Sequence, residues 1–155
     1  MINVKAGDIV FVRNRGLISS LIRFFDKGHF SHVCVAVSDS EIVEAQYYTT
    51  VRKTEMKYSD YEIVRLNLSE DEINKMVILT EKLIGEWYDY PQILYYIVQK
   101  LFGLKGKNVL NSPNNLICSE LIFVLLNSIG KLDGINKIDA DVTPNELYKF
   151  LKQIK

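Results

Sequence analysis

The chain has 155 residues, equal numbers of acidic and basic side chains, and 48 % apolar residues. This composition is typical of one soluble domain with its own core, and residues 1–155 are predicted to form that single domain. The zero net charge argues against nucleic-acid binding and against a polybasic membrane surface. Because the sequence shows neither a signal peptide nor an apolar run long enough to cross a bilayer, a cytoplasmic location is expected.

The first half of the chain reads as an antiparallel β meander. The turn signal Gly7-Asp8 precedes a predicted strand over 9–13, and a short helix is expected over 17–25. Strands rich in β-branched residues follow at 33–37 and 41–46, with a turn at 38–40 between them. Two further strand-like segments lie at about 49–54 and 62–66.

The second half of the chain is predicted to be helical. Ser69 and Glu72 form a capping-box pattern at the start of a helix that ends near Gly85. A second helix is expected from Pro91 to about Phe102, followed by a polar loop over 103–115. A second capping box, Thr143-Pro144-Asn145-Glu146, opens a C-terminal helix with a predicted buried face of Leu147, Phe150, Leu151 and Ile154. Strands followed by helices indicate the α+β class.

The helix expected after Asn114 and Asn115 carries Cys118 in its first turn. Gly130 provides its C-terminal cap. The apolar residues that recur at helical spacing are Leu121, Ile122, Leu125 and Ile129. The first backbone N–H groups of a helix have no partner and the helix dipole is positive there, so this position favours the nucleophilic thiolate. The alternative is that Cys118 is a small buried apolar residue, as most free cysteines are.

His32 and Glu44 are the candidate partners of this thiol. His32 starts a strand, on the face where the helix of Cys118 is expected to pack, and Glu44 follows twelve residues later on the next strand. A tight turn near Asp39 would make the two cross-strand neighbours, so Glu44 could orient the imidazole while His32 deprotonates Cys118. Gln46 on the same face competes for the orienting role, and each residue could instead be a structural polar group.

The same atoms could serve a metal ion. His32, Cys34 and Cys118 are possible zinc ligands, but neither a C-x-x-C nor an H-x-x-x-H motif is present. We therefore predict no metal and no other cofactor. Cys34 is predicted to be a core residue, and a Cys34–Cys118 disulfide is not expected in a reducing compartment.

Several motifs in this order resemble the permuted NlpC/P60 group of papain-like thiol hydrolases, over nearly the whole chain. They are Gly7-Asp8-Ile9-Val10-Phe11, Ser31-His32-Val33, Val43-Glu44-Ala45, Gly85-Glu86-Trp87-Tyr88-Asp89-Tyr90, Cys118-Ser119-Glu120-Leu121 and Val142-Thr143-Pro144-Asn145-Glu146-Leu147. That group includes the YiiX-like proteins and, more distantly, the lecithin:retinol acyltransferase-like enzymes. The resemblance implies a circularly permuted papain-like fold, with a small antiparallel β-barrel or sheet packed against helices. The long segment between Pro91 and Leu116 departs from the pattern and could form a lid or an extra pocket wall.

The resemblance also implies the roles: Cys118 as nucleophile, His32 as base and Glu44 as orienter. The interpretation is a thiol hydrolase that cleaves an amide, of a peptide or cell-wall type, through an acyl-enzyme. Ser31, Gln46 and Tyr88 are assigned to substrate binding. The alternatives are a lipid acyltransferase or thioesterase, whose acyl chain the aromatic run over 87–97 would line, and a non-catalytic binding module. The expected partner is a small-molecule, peptide or lipid-amide substrate, and the oligomeric state stays open.

Overall fold

The computed structural model describes residues 4–14, 19–20, 23–24, 27–45, 50–85, 87–88, 115–116, 118–132 and 142–154, with only the backbone at 87–88 and 115–116. The helix predicted from Pro91 to about Phe102, with most of the loop after it, lies outside these residues. Of the short helix predicted over 17–25, the described residues 19, 20, 23 and 24 are helical.

The β meander forms a five-stranded antiparallel sheet. Its strands are β1 (Ile9–Val12), β2 (His32–Ala36), β3 (Glu41–Ala45), β4 (Val51–Glu55) and β5 (Tyr61–Val64). The order across the sheet is β4-β3-β2-β1-β5, which is open along the described strands. A separate parallel pair joins β6 (Trp87–Tyr88) to β7 (Asn115–Leu116). Asn115 was expected in a loop leading into the helix of Cys118, and it lies instead in β7.

Three helices follow the sheet in the described chain. They are α1 (Glu70–Leu83), α2 (Cys118–Ser128) and α3 (Pro144–Ile154), so the α+β prediction is confirmed. Both predicted capping boxes are present, since Ser69 and Glu72, like Thr143 and Glu146, exchange side-chain and backbone hydrogen bonds. The predicted buried face of α3 is wrong at Ile154, which lies in the last turn and is 40 % exposed.

Both faces of the three central strands, β1 to β3, are buried. Alternate strand residues pack against the three helices, among them Ile9, Phe11, Val33, Val35, Val43 and Ala45. The other face carries a smaller apolar cluster formed by Val10, Val12, Cys34, Ala36 and Ile42. His32 shares its strand face with Cys34 and Ala36, so the expectation that it lies on the helix-covered face is wrong. The strand period was correct, but it could not show which of two apolar faces the helices cover.

A pair of buried hydrogen bonds ties α3 to the segment that leads into β2. The Phe30 N–H donates to Asn145 Oδ1 at 2.9 Å, and Asn145 Nδ2 donates to the Phe30 carbonyl oxygen at 2.7 Å. Gly28 makes this approach possible, because a Cβ atom there would lie 2.1 Å from Asn145 Cγ. The C-terminal helix therefore fixes the chain two residues before His32.

Candidate active site

His32 and Glu44 are in direct contact. The Nε2 atom of His32 lies 3.0 Å from Glu44 Oε2, and both side chains are buried. In the register of β2 and β3, Val35 faces Val43 and Ala36 faces Ile42, so Cys34 lies opposite Glu44. His32 is thus a diagonal rather than a direct cross-strand neighbour of Glu44, a distance that a long carboxylate side chain can span.

Two further side chains hold the Glu44 carboxylate. Arg52 faces Glu44 directly across β3 and β4, and it donates from Nε at 3.1 Å and from Nη2 at 2.8 Å to Glu44 Oε1. The hydroxyl of Tyr58 donates to the other oxygen, Oε2, at 2.5 Å. Oε1 therefore faces a cation, while Oε2 is shared by Tyr58 and His32.

Cys118 is the first residue of α2 and is buried. While the apolar residues of α2 pack on one face of the sheet, its first residue lies close enough to His32 to raise the pKa of the imidazole. His32 is the first residue of β2 and lies at the end of the strand, where a helix N-terminus can approach it. Since Nε2 of His32 faces Glu44, Nδ1 is the nitrogen left for Cys118.

The electrostatics of the cluster favour charged partners. Burial acts to lower the pKa of His32, but the hydrogen bonds to Cys118 and Glu44 outweigh it and raise the pKa to about 9. Burial likewise acts to raise the pKa of Glu44, but hydrogen bonds from His32, Tyr58 and Arg52 lower it to about 2. At neutral pH the His32 imidazole is therefore cationic and the Glu44 side chain is a carboxylate.

Cys34 is the second cysteine near this cluster, and it is a core residue as predicted. It is fully buried and unpaired with Cys118, and its thiol contacts the Val10 carbonyl oxygen at 3.7 Å. Burial raises the pKa of Cys34 well above its usual value, and the charges of Glu44 and Cys118 act in the same direction. Cys34 is therefore a neutral thiol beside the candidate site.

The three residues assigned to substrate binding have different positions. Ser31 is buried, and its hydroxyl accepts a hydrogen bond from the Asn14 N–H at 3.1 Å, so it serves the fold at this position. Gln46 lies outside the described residues, as does the side chain of Tyr88, whose backbone belongs to β6. The substrate-binding roles of all three stay predictions.

Sequence reasoning missed Arg52 and Tyr58. The signal for Arg52 was present, because pairing the strand at 41–46 with the next strand-like segment through a short connection places a basic residue opposite Glu44. Tyr58 left no such signal, since it lies in the irregular connection between β4 and β5 and reaches Glu44 through the tertiary fold.

The described residues do not fit a metal ion. No group of three or more His, Cys, Asp or Glu side chains with the arrangement of a metal site occurs among them. Both oxygens of Glu44 already accept hydrogen bonds from cationic or hydroxyl donors, and Nε2 of His32 faces that carboxylate. Of the described cluster residues, Cys118 and one imidazole nitrogen would then remain as ligands, fewer than protein zinc sites use.

A cavity of about 480 Å³ lies beside the segment that leads into β2. Arg13, Arg23, Phe24, His29 and Asp60 contribute to its walls. Arg13 bridges this wall to the core, because its guanidinium pairs with Asp60 at 3.0 Å and stacks 4.7 Å from the centre of the Phe30 ring. The polar wall of this cavity is therefore held in place by contacts within the protein.

The open antiparallel sheet, the helices packed on one face and the Cys–His–Glu cluster define an α+β protein with a candidate thiol-dependent site. Among solved structures, the chain is similar to the crystal structure of the metalloprotein yiiX from Escherichia coli O157:H7, at 17 % identity, covering 83 % of each chain with a TM-score of 0.50. A fold like that of the YiiX-like proteins, expected from the sequence, is thus confirmed, and the likeness concerns the fold alone. Neither the protein-family models nor the curated proteins give a match. Within the described part of the chain, no helix is long and apolar enough to cross a membrane.

Proposed function

We propose that the protein is a cysteine-dependent hydrolase that cleaves an amide bond through an acyl-enzyme on Cys118. The observation that carries this proposal is the position of His32, which interacts with Cys118 on one side and with the buried Glu44 carboxylate on the other. A thiol at a helix N-terminus next to a cationic imidazole is the setting in which cysteine becomes a nucleophile. The proposal includes the circularly permuted papain-like topology, for which the YiiX-like fold provides support.

In the proposed reaction, the resting site is a Cys118 thiolate beside a His32 imidazolium, because the thiol proton has already passed to His32. The thiolate attacks the substrate carbonyl carbon, a C–S bond forms, and the carbonyl electrons move to oxygen, where backbone N–H groups of the first turn of α2 stabilise the oxyanion. The tetrahedral species collapses as the C–N bond breaks, and His32 returns the proton to the leaving amine. Water, deprotonated by His32, then hydrolyses the thioester and restores the thiol. Glu44 holds the imidazole in one orientation throughout.

A first experiment tests the pair itself. Wild type and His32→Ala would be treated with iodoacetamide from pH 5 to pH 10, and labelled cysteines would be quantified by peptide mass spectrometry. Cys118 should label much faster than Cys34 at pH 7, because Cys34 is a buried neutral thiol. His32→Ala should reduce Cys118 labelling strongly at pH 6 and less at pH 9.5, and Glu44→Gln should have a smaller effect. If Cys118 titrates like a free thiol and His32→Ala changes nothing, the proposal is wrong.

A second experiment tests acyl transfer. Incubation with p-nitrophenyl acetate should leave one acetyl group on Cys118, which intact-mass and peptide mass spectrometry would locate, and Cys118→Ala should remain unmodified. A folded wild-type protein that never carries an acetyl group on Cys118 would contradict the acyl-enzyme. The same mass readout after incubation with peptide or lipid mixtures compares an amidase with the lipid acyltransferase alternative. The aromatic run on which the lipid alternative depends lies largely outside the described residues.

A further inference from the structure

A fully charged Cys–His–Glu triad is not electrically neutral, so its buried surroundings must balance its charge. A thiolate, an imidazolium and a carboxylate together carry one net negative charge. Glu44 is 0 % exposed and His32 and Cys118 are buried, so an uncompensated negative charge here would be strongly unfavourable. The protein must therefore either protonate one member of the triad or supply a cation.

Arg52 supplies this cation. Its guanidinium makes two hydrogen bonds to Glu44 Oε1, at 3.1 Å and 2.8 Å, and its side chain is 34 % exposed. A guanidinium stays cationic across the pH range in which cysteine and histidine titrate. The four charged groups then sum to zero: the Cys118 thiolate, the His32 imidazolium, the Glu44 carboxylate and the Arg52 guanidinium.

Among the described residues, two other titratable side chains beside this cluster are neutral, those of Tyr58 and Cys34. Burial and the hydrogen bond to Glu44 raise the pKa of Tyr58 above its usual value, so its hydroxyl stays protonated. Burial also raises the pKa of Cys34, which leaves that thiol uncharged. Tyr58 contributes geometry instead, since its hydroxyl fixes Oε2 of Glu44 and its ring lies 5.9 Å from the His32 ring.

We propose that Arg52 is a positioning residue that balances the charge of the cluster, so that Cys118 can be a thiolate while Glu44 remains a carboxylate. Arg52 acts through Glu44 and contacts neither substrate nor thiol in this proposal. The idea rests on the proposed function, because it assumes a charged Cys118–His32 pair. It predicts that removing the cation makes the cluster take up a proton at a higher pH, and the thiolate is the group that accepts it.

The test compares Arg52→Gln with Arg52→Lys and uses Arg65→Gln as the matched control. Arg65 makes the same kind of double contact with another buried carboxylate, Asp8, which is not part of this cluster. The measurement is the rate of Cys118 carboxymethylation by iodoacetamide from pH 5 to pH 10, with the fold checked by circular dichroism.

The acid limb of the profile is the pH range in which the rate of Cys118 labelling falls as the pH is lowered. Arg52→Gln should raise the midpoint of this limb by about one pH unit, which is about a tenfold loss of labelling at a given pH on the limb. Arg52→Lys should keep the limb close to that of wild type, because it keeps the charge. Arg65→Gln should leave the limb unchanged. A purely structural role for Arg52 would lower stability without moving the limb, and an unmoved limb in folded Arg52→Gln would overturn the inference.

A double variant covers the case in which Arg52→Gln does not fold. Glu44→Gln with Arg52→Gln removes one charge of each sign, so the remaining Cys118–His32 pair is again neutral and neither substitution leaves an unpaired charge behind. Its acid limb should return to within about half a pH unit of wild type, and a limb that stays high would overturn the inference. Failure of this inference can be distinguished from failure of the proposed function. The proposed function fails if the labelling of wild-type Cys118 falls off at the same pH as that of a free thiol, whereas the inference fails on the Arg52 variants.

Discussion

Two carboxylates are buried in the described part of the sheet region, and each is paired with one arginine. Asp8 receives Arg65 on both oxygens, at 2.7 Å and 2.6 Å, and the Lys5 N–H at 2.8 Å. Glu44 receives Arg52 on one oxygen only and keeps the other for Tyr58 and His32. Arg65 binds both oxygens of Asp8, whereas one oxygen of Glu44 contacts a titratable imidazole. Both carboxylates are therefore buried and paired with an arginine. They differ in the partner of the second carboxylate oxygen, which is the same arginine at Asp8 but His32 and Tyr58 at Glu44.

Removing the carboxylates should cost stability at both positions, but unequally. Glu44→Ala removes the buried acceptor of the hydrogen bonds from Arg52, His32 and Tyr58, so we expect a loss of about 3–5 kcal/mol in the free energy of unfolding. Asp8→Ala should cost less, about 1–3 kcal/mol, because the Arg65 side chain is 47 % exposed and can be solvated. Urea denaturation at pH 7 measures both. An equal or larger loss for Asp8→Ala would contradict the comparison.

Only the Glu44 position should make stability depend on pH above neutrality. The pKa of His32 is raised from 6.5 to about 9, so its favourable contribution is fully present below pH 6.5 and is lost as the pH rises through 9. The loss should be about 3 kcal/mol for this buried group. Urea denaturation at several pH values between 6 and 10 should show this fall in wild type and in Asp8→Asn. Below about pH 8.5, where an ordinary thiol begins to ionise, the fall should disappear in His32→Ala, and a fall that persists there would assign it to another group. Above that pH the raised pKa of the buried Cys34 thiol should leave a fall in every variant.

The pKa of His32 should depend on Glu44 and not on Asp8. Glu44→Gln should lower the pKa of His32 by about one to two units, because a negative hydrogen-bond acceptor is replaced by a neutral one. Asp8→Asn should leave that pKa unchanged. The chain has two histidines, so NMR titration of the ring protons gives His32 with His29 as an internal reference. Equal shifts for the two carboxylate variants would show that His32 senses the overall charge rather than its contact with Glu44.

The last two expected effects concern the hydrogen-bond donors, and the smaller of them is at Arg65. Tyr58→Phe removes one hydrogen bond to a charged acceptor and should cost about 1.5–3 kcal/mol of unfolding free energy. Arg65→Lys keeps the charge at a half-exposed side chain and should cost about 1 kcal/mol or less. Thermal unfolding followed by circular dichroism would compare them. A larger loss for Arg65→Lys would mean that the geometry of the Asp8 pair matters more than its charge.

The sequence predicted the five strands of the antiparallel sheet and both capping boxes, because these depend on local periodicity and spacing. It also singled out Cys118, His32 and Glu44, whose roles in the candidate site stay predictions. It could not assign His32 to the correct face of the sheet, since Val33 and Val35 on one side and Cys34 and Ala36 on the other are all buried. Arg52 could have been found from the pairing of β3 with β4. Tyr58 could not, because an irregular connection has no period from which to predict where its side chains point.

The two hydrogen bonds between Asn145 and Phe30 have a consequence for the order of events during synthesis. His32, Glu44 and Cys118 all leave the ribosome before Asn145 does. The segment before His32 lacks its buried hydrogen-bond partners until α3 has emerged and docked. We therefore expect a nascent chain to carry all three polar residues of the site before it can hold them in position, so Cys118 reacts only as a free thiol does while the chain is still being made.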